Sequence, residues 1–108
     1  MTRWHHVCRI DDIPPRCGVA ALLGNRQVAL IRSGDGELVQ AVGNLDPFSQ
    51  ANVICRGIVG DIAGVQVIAS PMYKQHFRLD DGVCIEDPSV TLPVYAVRVE
   101  HGDVFVGV

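Results

Sequence analysis

Apolar residues in this chain come in short runs or alternate with polar ones, and Gly, Asp or Pro interrupts them every several residues. That rhythm predicts strands rather than long helices. The clearest case is the C-terminal end. In VYAVRVE (94–100), Val97 and Val99 share one face while Arg98 and Glu100 take the other. His101-Gly102 supplies a turn, and DVFVGV (103–108) returns with Val104, Val106 and Val108 on one face. Period-two alternation on both sides of a Gly turn predicts a hairpin with one buried side.

The same reading places strands at WHHVCRI (4–10), VAALL (19–23), QVALIRS (27–33), LVQAVGN (38–44), VQVIAS (65–70) and HFRL (76–79). Turns are expected at Gly24-Asn25-Arg26, Asp35-Gly36 and Asp81-Gly82. DDIPPRCG (11–18) reads as a loop, because adjacent prolines cannot sit inside a sheet ladder. The pattern dissolves into a longer loop from Asp46 to Gly57, and PMYKQ (71–75) is a second loop that ends a buried strand at Pro71. Eight to ten short strands at this spacing predict an all-β antiparallel sandwich or small barrel. No repeat, low-complexity tract or linker divides the chain, so one domain over residues 1–108 is expected.

Composition narrows the function classes. With 48% hydrophobic and 19% charged residues among 108, the chain can build a core without a staple. A net charge of −3 provides no broad basic field, against a nucleic-acid partner. No apolar run reaches membrane-spanning length, against a membrane partner. The N-terminal MTRWHHVCRIDD has no signal-peptide core, so a cytoplasmic location is expected. Cys8, Cys17, Cys55 and Cys84 are scattered, with no C-x-x-C and no histidine at metal-ligand spacing. They are read as small, mostly buried hydrophobes.

Candidate chemistry is sparse. The serines lack a nucleophile motif, and no phosphate cradle is visible. The pairs Asp11-Asp12, Asp80-Asp81 and Glu86-Asp87 stand at turns or strand ends, where acidic side chains serve local hydrogen bonding. His5 and His6 point to opposite faces of a strand and cannot easily chelate one ion together. No catalytic, cofactor-binding or metal-binding residue is assigned.

Two stretches carry a resemblance. Strand, loop Asn44-Leu45-Asp46-Pro47-Phe48, strand, then Ser70-Pro71-Met72-Tyr73-Lys74-Gln75-His76-Phe77-Arg78-Leu79-Asp80-Asp81-Gly82 resembles the frame of a Rieske domain. In that family, Cys-x-His on one loop and Cys-x-x-His on the other hold a two-iron, two-sulfur cluster. Here Asp46 and Ser70 stand at the cysteine positions, and Phe48 and Tyr73 at the histidine positions. Phe48 has no donor atom, and Ser70 is a hard ligand for a core that selects thiolate. The resemblance thus implies a Rieske-like fold with two degenerate cluster-binding loops and no cluster. Phe48 and Tyr73 can close the emptied site by packing, and that reading is favoured for Phe48. Phe48, Met72, Tyr73 and Lys74 are candidates for a partner-docking tip.

Over nearly its whole length, the sequence is similar to the small subunit of the bacterial cytoplasmic, NADH-dependent nitrite reductase. The pieces are W-x-x-V-C-x-I-D-D-I (Trp4 to Ile13), G-V-x-A-L-L-G (Gly18 to Gly24), N-L-D-P-F (Asn44 to Phe48), A-S-P-x-x-K-Q-x-F-R-L-x-D-G (Ala69 to Gly82) and C-x-E-D (Cys84 to Asp87). Departures fall in loop residues such as Ser49-Gln50-Ala51. The resemblance implies a large-subunit partner that carries FAD, siroheme and an iron–sulfur cluster and reduces nitrite to ammonium. It implies a non-catalytic accessory role, and no cofactor, for this chain. The alternatives are a Rieske-type ferredoxin acting as an electron carrier, and a redox-silent interaction module with another partner.

Overall fold

The computed structural model describes residues 3–34 and 38–108. Among the described residues, nine strands run in the order β1 (Trp4–Arg9), β2 (Gly18–Leu23), β3 (Arg26–Ser33), β4 (Leu38–Gly43), β5 (Ile58–Ile62), β6 (Val65–Ala69), β7 (His76–Arg78), β8 (Val94–Glu100) and β9 (Asp103–Gly107). Single 3-10 turns lie at Ile10–Asp12 and Ile54–Arg56. Every strand pair is antiparallel. A six-stranded sheet has the order β1-β9-β8-β4-β3-β2, and a three-stranded sheet the order β5-β6-β7.

Strand β3 shows how the two layers share a core. Its stretch Val28-Ala29-Leu30-Ile31 is buried without a break. Val28 and Leu30 face inward with Ile13, Ala41, Val104 and Val106, around which all six strands of the larger sheet curl into a nearly closed barrel. Ala29 and Ile31 face the other way, toward Val59, Ile68 and Phe77 of the three-stranded sheet. A strand covered on both faces needs a continuous apolar run rather than alternation.

The predicted C-terminal hairpin is present as β8 and β9, with the register Val97↔Val106 and Val99↔Val104. His101 and Gly102 both have positive φ, 52° and 82°, the tight turn that matches strand twist. Val104 and Val106 are fully buried, but Val99 is 42% exposed, so the alternation on β8 does not mark a fully buried face. Ile10 leaves β1 for the 3-10 turn rather than extending the strand. Strand β5 was not legible in the pattern, because Gly60 and Asp61 break its apolar rhythm. It forms a hairpin with β6 across Ala63-Gly64, where φ is again positive at both residues. The expected Asp35-Gly36 turn lies outside the described residues.

Candidate functional site

The three-stranded sheet carries two loops at one end. The first runs from Asn44 to Gly57 and is shaped by two buried side chains, Asn44 and Asp46. Asn44 Oδ1 accepts from the Cys55 N–H at 2.8 Å, and Asn44 Nδ2 donates to the Asn52 carbonyl at 3.3 Å. Asp46 Oδ1 accepts from the Phe48 N–H at 2.9 Å, while the Asp46 backbone exchanges bonds with Ala51 and Gln50 at 2.8 Å. Short polar side chains that bond their own backbone two residues on are the usual makers of such turns.

The second loop is tighter. The Ser70 N–H donates to the Gln75 carbonyl at 2.9 Å, and the Lys74 N–H to the Ser70 carbonyl at 3.0 Å. Ser70 Oγ accepts from the Met72 N–H at 3.3 Å. Lys74 closes the turn in the left-handed region, at φ 64°. Beyond it, the F-x-L-x-x-G stretch ends at Gly82, with φ 77°, where a Cβ would lie 2.2 Å from the Leu92 carbonyl oxygen. Only glycine fits there.

A side-chain hydrogen bond joins the two loops: Ser70 Oγ donates to Asp46 Oδ2 at 2.5 Å. Both residues are buried, at 1% and 0% exposure. Each side chain also receives an N–H from two residues further along its own loop. The two positions that correspond to cluster cysteines are therefore tied to each other directly. Their donor and acceptor capacity is largely spent on the protein, and neither offers thiolate. Phe48 offers no donor. The residues present do not fit an iron–sulfur cluster. Among the described residues, no group of three or more His, Cys, Asp or Glu is placed to hold a metal ion.

The two histidine-position residues part ways. The Phe48 ring lies 6.2 Å from that of Phe77, tilted by 44°, and packs against the core beneath the three-stranded sheet. Tyr73 is 60% exposed. Of the two aromatics that could close the gap, Phe48 packs inward and Tyr73 stands exposed, and the Asp46–Ser70 bond ties the loops between them. Met72 and Lys74 stand exposed beside Tyr73.

Several of the remaining candidates have local partners. Asp12 accepts the Arg9 N–H, Asp81 the Val83 N–H, and Asp87 the Ser89 hydroxyl. Asp80 pairs with Arg78, whose hydrogen bond holds the Asp80 carboxyl below its usual range. His6 contacts Asp103 at 3.1 Å, and its ring meets the Phe105 edge. His76 contacts Glu86 through its ring at 2.6 Å and its N–H at 2.7 Å. Burial pushes the Glu86 carboxyl up, but the His76 contacts outweigh it and leave the group below its usual range. All four cysteines are free. Cys84 is buried, and desolvation raises its thiol and that of Cys8, as for inert packing groups. Cys17 is exposed, contrary to the reading of the cysteines as mostly buried, and Cys8 and Cys55 are only partly covered.

One group escaped sequence reasoning. Arg56, near the end of the first loop, and Ile58, the first residue of β5, meet Pro71, Lys74 and His76 across a hollow of about 490 Å³. Gly57 makes this approach possible, since a Cβ there would lie 2.3 Å from the Ala69 carbonyl oxygen. A lone arginine and a lone isoleucine in a loop give no pattern. The glycine between them was the available signal.

A family model described as the Rieske-like [2Fe-2S] domain matches residues 3–107. The nitrite reductase (NADH) small subunit of Escherichia coli K12 is 44% identical over 102 residues, covering 94% of each chain. A Mycobacterium tuberculosis protein, provisionally described as an NADH-dependent nitrite reductase small subunit, superimposes with a TM-score of 0.94 at 48% identity, covering 100% of this chain and 96% of that one. A Klebsiella oxytoca nitrite reductase [NAD(P)H] large subunit is also 44% identical over 104 residues, which make up 96% of this chain and 11% of that one. The chain therefore belongs to the Rieske-like domain family, within its nitrite reductase small-subunit branch.

Proposed function

We propose that this chain is a non-catalytic accessory subunit of an NADH-dependent nitrite reductase, acting in the cytoplasm on a large subunit that binds FAD, siroheme and an iron–sulfur cluster. The observation that carries this reading is the likeness to the Escherichia coli small subunit across 94% of both chains. The Klebsiella oxytoca match supports the choice of partner, because there a similar segment is part of a polypeptide named as the large subunit. No helix among the described residues is long and apolar enough to cross a membrane.

The subunit contributes shape rather than electrons. Residues 1–108 act as one domain and bind no cofactor of their own. Asp46, Phe48, Ser70 and Tyr73 occupy the ligand positions of a Rieske domain and leave an iron–sulfur cluster no ligand set. The Asp46–Ser70 bond sets the spacing of the two loops. Met72, Tyr73 and Lys74 form the docking tip, and Phe48 supports it from below. An electron-carrier role is disfavoured by the same bond, since an electron carrier needs a redox centre where this chain has a carboxylate and a hydroxyl.

The test is NADH-dependent nitrite reduction by the large subunit with and without this chain, together with co-purification of the two. The expected result is that activity or recovery of the large subunit depends on a chain that itself contains no iron. Indifference of both to the chain would remove the accessory role. Stoichiometric iron in the purified chain would restore the electron-carrier reading.

A further inference from the structure

We infer that the hollow beside the second loop receives an acidic, partly apolar segment of the large subunit, with Arg56 and Lys74 facing its carboxylates and Ile58 and Pro71 seating its apolar side chains. This rests on the accessory-subunit reading and adds to it a site and the chemistry of the partner.

The charge pattern carries the argument. The chain is acidic overall, at −3. Most of its cations are already occupied. Arg9 pairs with Asp103 at 3.2 Å, Arg78 with Asp80 and Asp81, and Arg98 with Glu100. Arg16 reaches the Gly34 and Val59 carbonyls. The side chains of Arg56 and Lys74 have no hydrogen bond or ion pair to another described residue, yet they line one hollow from two different elements. No carboxylate among the described residues lines that hollow. Its third basic wall, His76, is already matched by Glu86. Two unneutralised cations facing the same space in an acidic protein suit an anionic partner.

The apolar part points the same way. Ile58 is 77% exposed, the highest value among the exposed large hydrophobic residues described. With Pro71 it gives the hollow an apolar wall beside the two cations, the mix of apolar and charged surface that suits a partner segment. The backbone is built to hold the group. Gly57 lets the chain between Arg56 and Ile58 lie against β6. Lys74 occupies a left-handed position where glycine or asparagine would be less strained. Its N–H is fixed to the Ser70 carbonyl, so the lysine side chain starts from a defined point. Met72 and Tyr73, on the same loop, are also exposed.

The experiment is a titration of the purified, full-length large subunit with three forms of this chain. These are the wild type, Arg56→Glu/Lys74→Glu, and Arg3→Glu/Arg26→Glu. The last makes the same change in net charge at two exposed arginines outside the hollow. Both double variants are expected to melt near the wild type, because the altered side chains hold no partner. The hollow variant is expected to bind at least about tenfold more weakly, and the control to stay within about threefold. Wild-type binding is expected to weaken as salt rises past about 0.1 M, and the hollow variant to lose most of that salt dependence. Ile58→Ser is expected to weaken binding without changing the salt slope. Equal weakening by the two double variants, or full binding by the hollow variant, overturns this site and leaves the accessory role standing. If the wild-type chain does not bind the large subunit at all, the accessory reading fails and the site fails with it.

Discussion

In the first loop, the aromatic residue two places beyond Asp46 turns inward, its ring against Phe77. In the second, the aromatic residue three places beyond Ser70 stands 60% exposed. Both occupy positions that a metal-binding relative would give to histidine, and the frame around them is otherwise alike. The difference follows from what each loop can bury. The first loop is long and folds over the core cluster of Ile54, Ile68 and Phe77, so an aromatic ring there gains apolar contacts. The second is a tight turn bonded end to end between Ser70 and Gln75, with no interior to fill. With no ligand required at either position, the first became part of the packing and the second part of the surface.

Substitutions separate the two loops, and the largest expected effect lies at their junction. Asp46→Ala removes the acceptor for both the Ser70 hydroxyl and the Phe48 N–H, at a fully buried position. Leaving two such donors unpaired should cost about 2–4 kcal/mol, a fall in melting temperature on the order of 10 °C. A thermal melt checks this. Loss of less than about 1 kcal/mol would mean that the loops do not depend on the contact.

The next effect tests the contrast itself. Phe48→Ala should destabilise the chain by about 1–3 kcal/mol, because a half-buried ring leaves contacts unfilled. Tyr73→Ala should change stability by no more than about 0.5 kcal/mol while weakening capture of the large subunit. Urea denaturation of both variants, with a pull-down in parallel, reads the two outcomes. If Tyr73→Ala proves as destabilising as Phe48→Ala, the inward–outward distinction is wrong.

The smallest effect concerns the base of the second loop. The Glu86 carboxyl is held below its usual range in the folded chain. Its contribution is therefore present above the unfolded value of about 4.3 and is lost as the pH falls through the lower folded value. Glu86→Gln should lower stability slightly near neutral pH, by no more than about 0.5 kcal/mol for so exposed a pair. Wild type and variant should converge in acid. Urea midpoints at neutral pH and near pH 3 measure it, and a gap that widens in acid would reverse the assignment.

Much of this architecture can be read from local patterns, and the exceptions have causes. The β8–β9 hairpin is announced by alternation and a Gly turn, and β3 by an unbroken apolar run. Strand β5 is hidden because Gly60 and Asp61 are poor strand formers, and it is held by its hairpin pairing with β6 across Ala63-Gly64. Val99 follows the alternation of β8 yet stays half exposed, since alternation fixes direction and not cover. At the site, the emptied ligand positions are legible from spacing alone. That Asp46 and Ser70 bond to each other is not, because 24 positions separate them along the chain. Nor is the hollow, whose cations come from two loops with no shared motif.

The Asp46–Ser70 bond also has a consequence for how the protein is made. A tie formed by a carboxylate and a hydroxyl is written into the polypeptide and is available as soon as both loops have been synthesised. It needs no metal delivery and no assembly machinery, and it does not change with the redox state of its surroundings. The spacing of these two loops is thereby fixed without a metal centre between them.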